Sequence, residues 1–176
     1  MDQLYCIYRS IEKSICSTIS ASFPSACIVS FLAFISYMVL RLFFSLHKNR
    51  SKNFSGVSGM VYQGVWTAIF TFYTYMVLFR TWIARKRWED PLDKIFGGWG
   101  LYTEKGNLTT EAIENVMLLF PFTFLLGILL RKRWKKYSPG LAFRYLALSG
   151  FFMSLTIETV QLLLKRGTFQ FSDLFY

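Results

Sequence analysis

Residues 14–40 read SICSTISASFPSACIVSFLAFISYMVL and carry no charged side chain. This run is longer than the roughly 20 residues that an α-helix needs to cross the hydrocarbon core of a bilayer. It is also too long for the apolar part of a signal peptide, and the residues before it have mixed charge. We therefore predict an uncleaved transmembrane helix over about 22–44.

The rest of the chain repeats this pattern of apolar runs separated by polar links. Residues 47–52 and 131–137 are basic, and residues 89–110 contain Pro and Gly residues that favour turns. We expect three further helices, at about 59–83, 110–130 and 141–164. The predicted fold class is all-α, an integral membrane bundle of about four transmembrane helices that forms a single membrane domain over residues 1–176.

The composition favours a membrane protein over a soluble nucleic-acid binder. Apolar residues make up 53% of the chain and aromatic residues 19%, while the net charge is +10. Membrane proteins combine these properties because Lys and Arg gather in loops that face anionic lipid. We expect membrane lipids as partners and no nucleic acid. The three cysteines and the single histidine do not form a metal-binding pattern, so we expect no metal and no cofactor.

The distribution of Lys and Arg predicts an orientation. The short links 47–52 and 131–137 carry three and five Lys/Arg residues and no acidic residue, which places them in the cytoplasm by the positive-inside rule. The loop 85–110 and both termini then lie outside. The basic run 85–87 argues for the opposite orientation.

Glu158 is the polar residue that most needs an explanation. A carboxylate in the middle of a transmembrane helix costs about 2.5–3.5 kcal/mol on insertion scales, and somewhat less near an interface. Gln161 lies three residues after Glu158 and Ser154 lies four residues before it, so the three side chains share one helical face. We expect this polar stripe to face the interior of the bundle.

Other polar residues are expected at the same depth. Consecutive transmembrane helices are antiparallel, so the third helix starts on the side where the fourth helix ends. This alternation brings Arg80 and Asn115 to the level of Glu158. The predicted functional cluster consists of Arg80, Asn115, Ser154, Glu158, Gln161, Arg166 and Asp173.

Each of these residues also has a structural interpretation. Arg80, near a helix end, can extend its charge into the headgroup layer. Asn115 can hydrogen-bond between helices. Glu158 can form a stabilising ion pair with Arg80, and Arg166 and Asp173 can be solvated charges.

The same residues form a family pattern. Asn115 is followed by an apolar stretch that leads to Pro121, and residues 154–161 read Ser-x-x-x-Glu-x-x-Gln. Arg166 is followed by Asp173 in the sequence Phe-Ser-Asp. Together these motifs resemble the VanZ-like family of small bacterial membrane proteins.

The resemblance covers about residues 60–176 and departs from the family pattern at two points. Thr123 stands where members of the family usually have a glycine. Members also continue beyond the aspartate into a Gly-rich final helix, whereas this sequence stops at Tyr176. We therefore expect the usual final helix to be missing, either because this is a shortened member of the family or because the gene is truncated.

The resemblance implies a multi-pass protein of the bacterial cytoplasmic membrane with a role in the cell envelope. The name-giving member is linked to resistance to the glycopeptide teicoplanin. Three functions stay open. The cluster can bind a lipid-linked or glycopeptide-like headgroup, Glu158 can be the acid or base of an enzyme that acts on an envelope lipid or polymer, or the bundle can be a structural accessory subunit. No nucleophile–base pair is visible in the sequence to support the enzyme.

Overall fold

The computed structural model describes residues 2–47, 54–85 and 111–166, and the regular structure in these residues is helical. The all-α fold class is thereby confirmed for this part of the chain. A π turn, Phe79–Ile83, continues the second helix. The α-helices are, in chain order, α1 (Asp2–His47), α2 (Phe54–Leu78), α3 (Glu111–Leu129), α4 (Arg131–Trp134) and α5 (Pro139–Leu164).

α1 is much longer than the predicted span of 22–44. It begins at Asp2, because the residues before position 22 include neither glycine nor proline and nothing there stops a helix. Its single proline is Pro24. The predicted span was based on the uncharged run and on the number of residues that cross a bilayer. The helix itself extends beyond that span, toward the N-terminus and as far as His47.

α1 and α2 pack through small side chains. Ser22 of α1 is fully buried, and its hydroxyl donates to Sδ of Met76 on α2 at 2.8 Å. Toward the other end of the pair, a methyl group added to Gly64 would lie 2.8 Å from Cε2 of Phe34. Because these contacts run in opposite directions along the two helices, α1 and α2 are antiparallel.

A proline in α3 is matched by a tyrosine in α2. Pro121 has no N–H, so the carbonyl of Met117, one turn earlier, lacks its usual partner within the helix. The hydroxyl of Tyr73 donates to the carbonyl of Met117 at 3.1 Å and to that of Leu118 at 3.0 Å. Tyr73 therefore satisfies the backbone group that the proline leaves open.

α3 and α5 approach each other closely at glycines. A methyl group added to Gly150 would lie 3.0 Å from Cγ2 of Thr123, and one added to Gly127 would lie 3.3 Å from Cδ1 of Leu146. Thr123 is the position at which the family pattern predicts a glycine. Here the glycine that allows α3 and α5 to approach closely is Gly150, on the facing helix.

Large apolar side chains are exposed on the outside of the helices. Phe120 of α3 is 66% exposed and Phe143 of α5 is 72% exposed. Among the residues that the structure describes, Ile19–Ser45 and Pro139–Leu164 are long and apolar enough to cross a membrane. Asn115–Leu129 is a shorter apolar helix. A bundle with four membrane spans therefore stays a prediction.

Candidate functional site

One face of α5 carries buried polar side chains of the predicted cluster. Ser154, Glu158 and Gln161 are 5%, 3% and 1% exposed, and Ile157 is buried beside them. Their spacing of three and four residues places them on one helical face. The interior of the bundle is therefore polar at this end of α5.

These side chains border a cavity at the place where α2 and α5 end and α3 begins. The cavity volume is about 20 Å³, room for about one water molecule, and the space grows to about 300 Å³ when the open mouth of the cavity is included. Leu118, Leu119 and Ile157 form its apolar wall. Its polar lining residues are Thr81, Arg85, Asn115, Ser154, Glu158 and Gln161.

Gln161 connects α5 to the end of α2. Its Nε2 donates to the carbonyl of Thr81 at 3.1 Å, and its Oε1 accepts from Nη1 of Arg85 at 3.4 Å. The Thr81 carbonyl lies near a helix end, where backbone carbonyls lack partners within the helix. The Gln161 amide therefore holds both the backbone of the π turn and the guanidinium group of Arg85.

Arg166 contacts the same helix end from outside the cavity lining. Its Nη1 donates to the carbonyl of Ile83 at 2.5 Å and to that of Arg85 at 3.5 Å. A left-handed residue, Lys165 with φ 51°, turns the chain after α5, and the N–H of Arg166 donates to the carbonyl of Gln161 at 2.9 Å. Arg166 thus caps carbonyl groups at the end of the π turn that follows α2.

Asn115 brings a buried amide nitrogen to the cavity. It lies near the start of α3, and its Nδ2 has no hydrogen-bond partner among the residues that the structure describes. Buried amides nearly always have a partner, and an unsatisfied polar group costs about 1–3 kcal/mol. Nδ2 of Asn115 can therefore donate to a molecule that enters the cavity.

Among the described residues, the cation that lines this cavity is Arg85, whereas sequence spacing predicted Arg80. Arg80 lies at the same end of the bundle, half-buried in the π turn, and is not one of the described residues of the lining. A π turn inserts one extra residue, which rotates the following side chains away from the positions that α-helical spacing predicts. No sequence pattern reveals this turn, so Thr81 and Arg85 could not be singled out. Asp173 lies outside the described residues.

The lining combines one guanidinium group with one carboxyl group, two amides and two hydroxyls. In surroundings of low dielectric constant, a guanidinium group attracts an anionic group strongly and can donate two hydrogen bonds to it. An ionised carboxyl group accepts hydrogen bonds from hydroxyl and amide groups. These lining residues include neither histidine nor cysteine. The arrangement is suited to recognition of a polar, anionic group.

The comparison with protein families matches the chain to a known family. The family model described as VanZ/LLP1 matches residues 25–176, a range that contains every residue of the cavity lining. It extends further toward the N-terminus than the motifs, which covered about residues 60–176. No curated protein and no solved structure matches the chain.

Proposed function

The chain belongs to the VanZ/LLP1 family, and from this membership we propose that it is a cell-envelope protein of the bacterial cytoplasmic membrane. In this proposal α1, α2, α3 and α5 cross the bilayer. Two stretches that are long and apolar enough for a membrane span, Ile19–Ser45 and Pro139–Leu164, support it. The exposed phenylalanines of α3 and α5 support it as well, because soluble proteins rarely expose large apolar surfaces.

The protein binds the polar headgroup of a lipid-linked or glycopeptide-like molecule in the cavity. The observation that carries this function is the buried Nδ2 of Asn115, which lacks a partner in the described part of the chain, in one cavity with Arg85 and Glu158. Arg85 binds an anionic group of the ligand. Asn115 donates a hydrogen bond, and Glu158 accepts one from a hydroxyl or amide group.

The position of the cavity along the helices fits such a ligand. It lies at the ends of α2 and α5 and at the start of α3, and the ends of transmembrane helices lie near the headgroup layer. A ligand with a lipid anchor can leave its chains in the bilayer while its polar group binds in the open mouth of the cavity. No part of the ligand then needs to cross the hydrocarbon core.

Resistance to teicoplanin tests this function, since the name-giving member of the family is linked to that resistance. We expect Glu158→Ala and Asn115→Ala to lower the teicoplanin concentration that a susceptible bacterium tolerates when it expresses the protein. Thr159→Ala is the matched control, because Thr159 is exposed next to Glu158 and its hydroxyl donates to Leu155 within α5. Unchanged tolerance in both cavity variants, at normal protein levels, would contradict the proposal.

Catalysis and a purely structural role are the alternatives. Binding is preferred to catalysis because the described lining residues beside Glu158 include neither a histidine nor a cysteine that could act with it. The Glu158→Gln variant distinguishes binding from catalysis. An enzyme would lose turnover of its envelope lipid or polymer in this variant while it still binds that molecule. A structural accessory subunit would instead depend on partner proteins for its stability.

A further inference from the structure

The end of the bundle opposite the cavity carries a basic surface. α4 and the turn after it present five exposed Lys/Arg side chains, which we call the α4 surface: Arg131, Lys132, Arg133, Lys135 and Lys136. The sequence has no acidic residue between Glu114 and Glu158. The positive charge of this surface is therefore not offset by carboxylates of the same segment.

The start of α2 packs against the α4 surface. Nε2 of Gln63 donates to the carbonyl of Leu129 at 2.8 Å, and the guanidinium carbon of Arg131 lies 5.2 Å from the centre of the Tyr62 ring. The segment that joins α1 to α2 adds three more Lys/Arg residues and no acidic residue. The two basic links of the sequence thus join helices that end or begin at the same side of the bundle.

An aromatic cluster lies within this surface and contains a buried polar atom. The ring of Trp134 lies 6.2 Å from that of Tyr137 and 5.8 Å from that of Tyr145, and the two tyrosine rings are 6.2 Å apart. Nε1 of Trp134 is buried and has no hydrogen-bond partner among the residues described. A buried indole N–H usually has an acceptor. Trp134 therefore needs an acceptor from outside this part of the protein.

We propose that the α4 surface binds the headgroup of an anionic phospholipid. The lipid phosphate lies among the side chains of Arg131 and Arg133, and the indole N–H of Trp134 donates to a phosphate or ester oxygen. The acyl chains follow the exposed apolar side chains of Leu141 and Phe143 on the first turns of α5. These apolar neighbours favour a lipid over a soluble polyanion, which would leave them in water.

This site rests on the membrane placement proposed above and is independent of any ligand in the cavity. Clusters of Lys and Arg at a membrane surface attract anionic lipid with about 1 kcal/mol for each residue, or roughly fivefold in affinity. Removal of two charges should therefore have a measurable effect, and the residues of the cavity stay unchanged in the test.

Titration of the full-length protein in detergent with phosphatidylglycerol and with phosphatidylcholine tests the proposal. We expect tighter binding of phosphatidylglycerol, and a loss of about tenfold or more in the variant Arg131→Gln/Arg133→Gln. Arg9→Gln/Lys13→Gln is the matched control, because it also removes two positive charges, from exposed side chains near the start of α1 and away from the α4 surface. Arg131→Lys/Arg133→Lys keeps the charge and should retain most of the affinity.

Trp134→Phe keeps an aromatic ring but removes the N–H, and it should weaken phosphatidylglycerol binding severalfold. Equal affinity for the two lipids in the unchanged protein overturns the proposal, as does unchanged affinity in the Arg131→Gln/Arg133→Gln variant. An equal loss in the Arg9→Gln/Lys13→Gln control also overturns it, because the effect would then be one of net charge. Displacement of the lipid by millimolar inorganic phosphate would identify a site for free anions instead.

Discussion

Gln161 uses both ends of its amide group to hold the end of α2. Its NH₂ group faces the Thr81 carbonyl, which can only accept, and its oxygen faces the guanidinium group of Arg85, which can only donate. The two partners therefore determine which way the amide is oriented. Gln161, which the sequence placed among the ligand-binding residues, lines the cavity and also contacts the guanidinium group of Arg85.

Arg85→Gln should weaken the binding of an anionic ligand in the cavity by about tenfold or more, because a hydrogen bond to a charged group contributes about 1.5–3 kcal/mol. A polyprenyl phosphate, presented to the reconstituted protein in phosphatidylcholine nanodiscs, is a suitable probe. Arg80→Gln is the informative comparison, since sequence spacing favours Arg80 and the structure places Arg85 in the lining. A loss with Arg80→Gln as large as with Arg85→Gln would argue against Arg85 as the ligand-binding cation.

At the scale of the helices, sequence periodicity predicted which side chains share one face of a single helix. The shared face of Ser154, Glu158 and Gln161 follows from intervals of three and four residues, and alternation of direction brings Asn115 to them. The position of Arg85 could not be predicted, because a π turn is a local change of hydrogen bonding without a sequence pattern. The predicted transmembrane span of 22–44 lies close to the apolar stretch Ile19–Ser45, but the helix itself begins at Asp2 because no helix-breaking residue stops it earlier.

Contacts between helices were beyond prediction from one sequence because they depend on the register of two helices. Tyr73 and Pro121 illustrate this. The proline alone predicts a carbonyl without its usual partner, but only the packing of α2 on α3 shows that the hydroxyl of Tyr73 reaches it. The close contact between Thr123 on α3 and Gly150 on α5 likewise depends on the register of the two helices and could not be predicted from the sequence.

Tyr73→Phe should lower the free energy of unfolding by about 1–3 kcal/mol, since it leaves the Met117 carbonyl without a partner. In a Pro121→Ala background, the new N–H of residue 121 can bond to Met117, and the same Tyr73→Phe change should cost clearly less. Thermal unfolding of the four proteins of this double-mutant cycle, in one detergent, measures the difference. Equal costs in both backgrounds would show that the tyrosine and the proline are not coupled.

At the scale of the whole molecule, the two ends of the bundle differ in chemistry. One end has the cavity, with Arg85 and Glu158 enclosed among helix ends. The other end has the exposed α4 surface and its aromatic cluster. The exposed apolar side chains lie on helices between these ends. This division fits a bundle that meets a different environment at each of its ends.

A four-span bundle makes a definite prediction about sidedness. Single cysteines introduced as Arg50→Cys and Lys135→Cys, in a chain whose native cysteines are replaced by serine, should be labelled by an impermeant thiol reagent only in inverted vesicles. Lys94→Cys should be labelled only in right-side-out vesicles, because the positive-inside rule places the two short links in the cytoplasm. Labelling of all three positions from one side would exclude the four-span arrangement.

The length of α1 affects how the protein meets the space outside the bilayer. At 1.5 Å per residue its 46 residues extend about 69 Å, more than twice the roughly 30 Å of a hydrocarbon core. Because α1 is antiparallel to α2, the part before Ile19 stands on the side where the cavity opens. In the proposed membrane arrangement, a short epitope placed ahead of Asp2 would lie on the side of the membrane where the cavity opens. Antibody binding to intact cells would then show directly whether the cavity faces the medium or the cell interior.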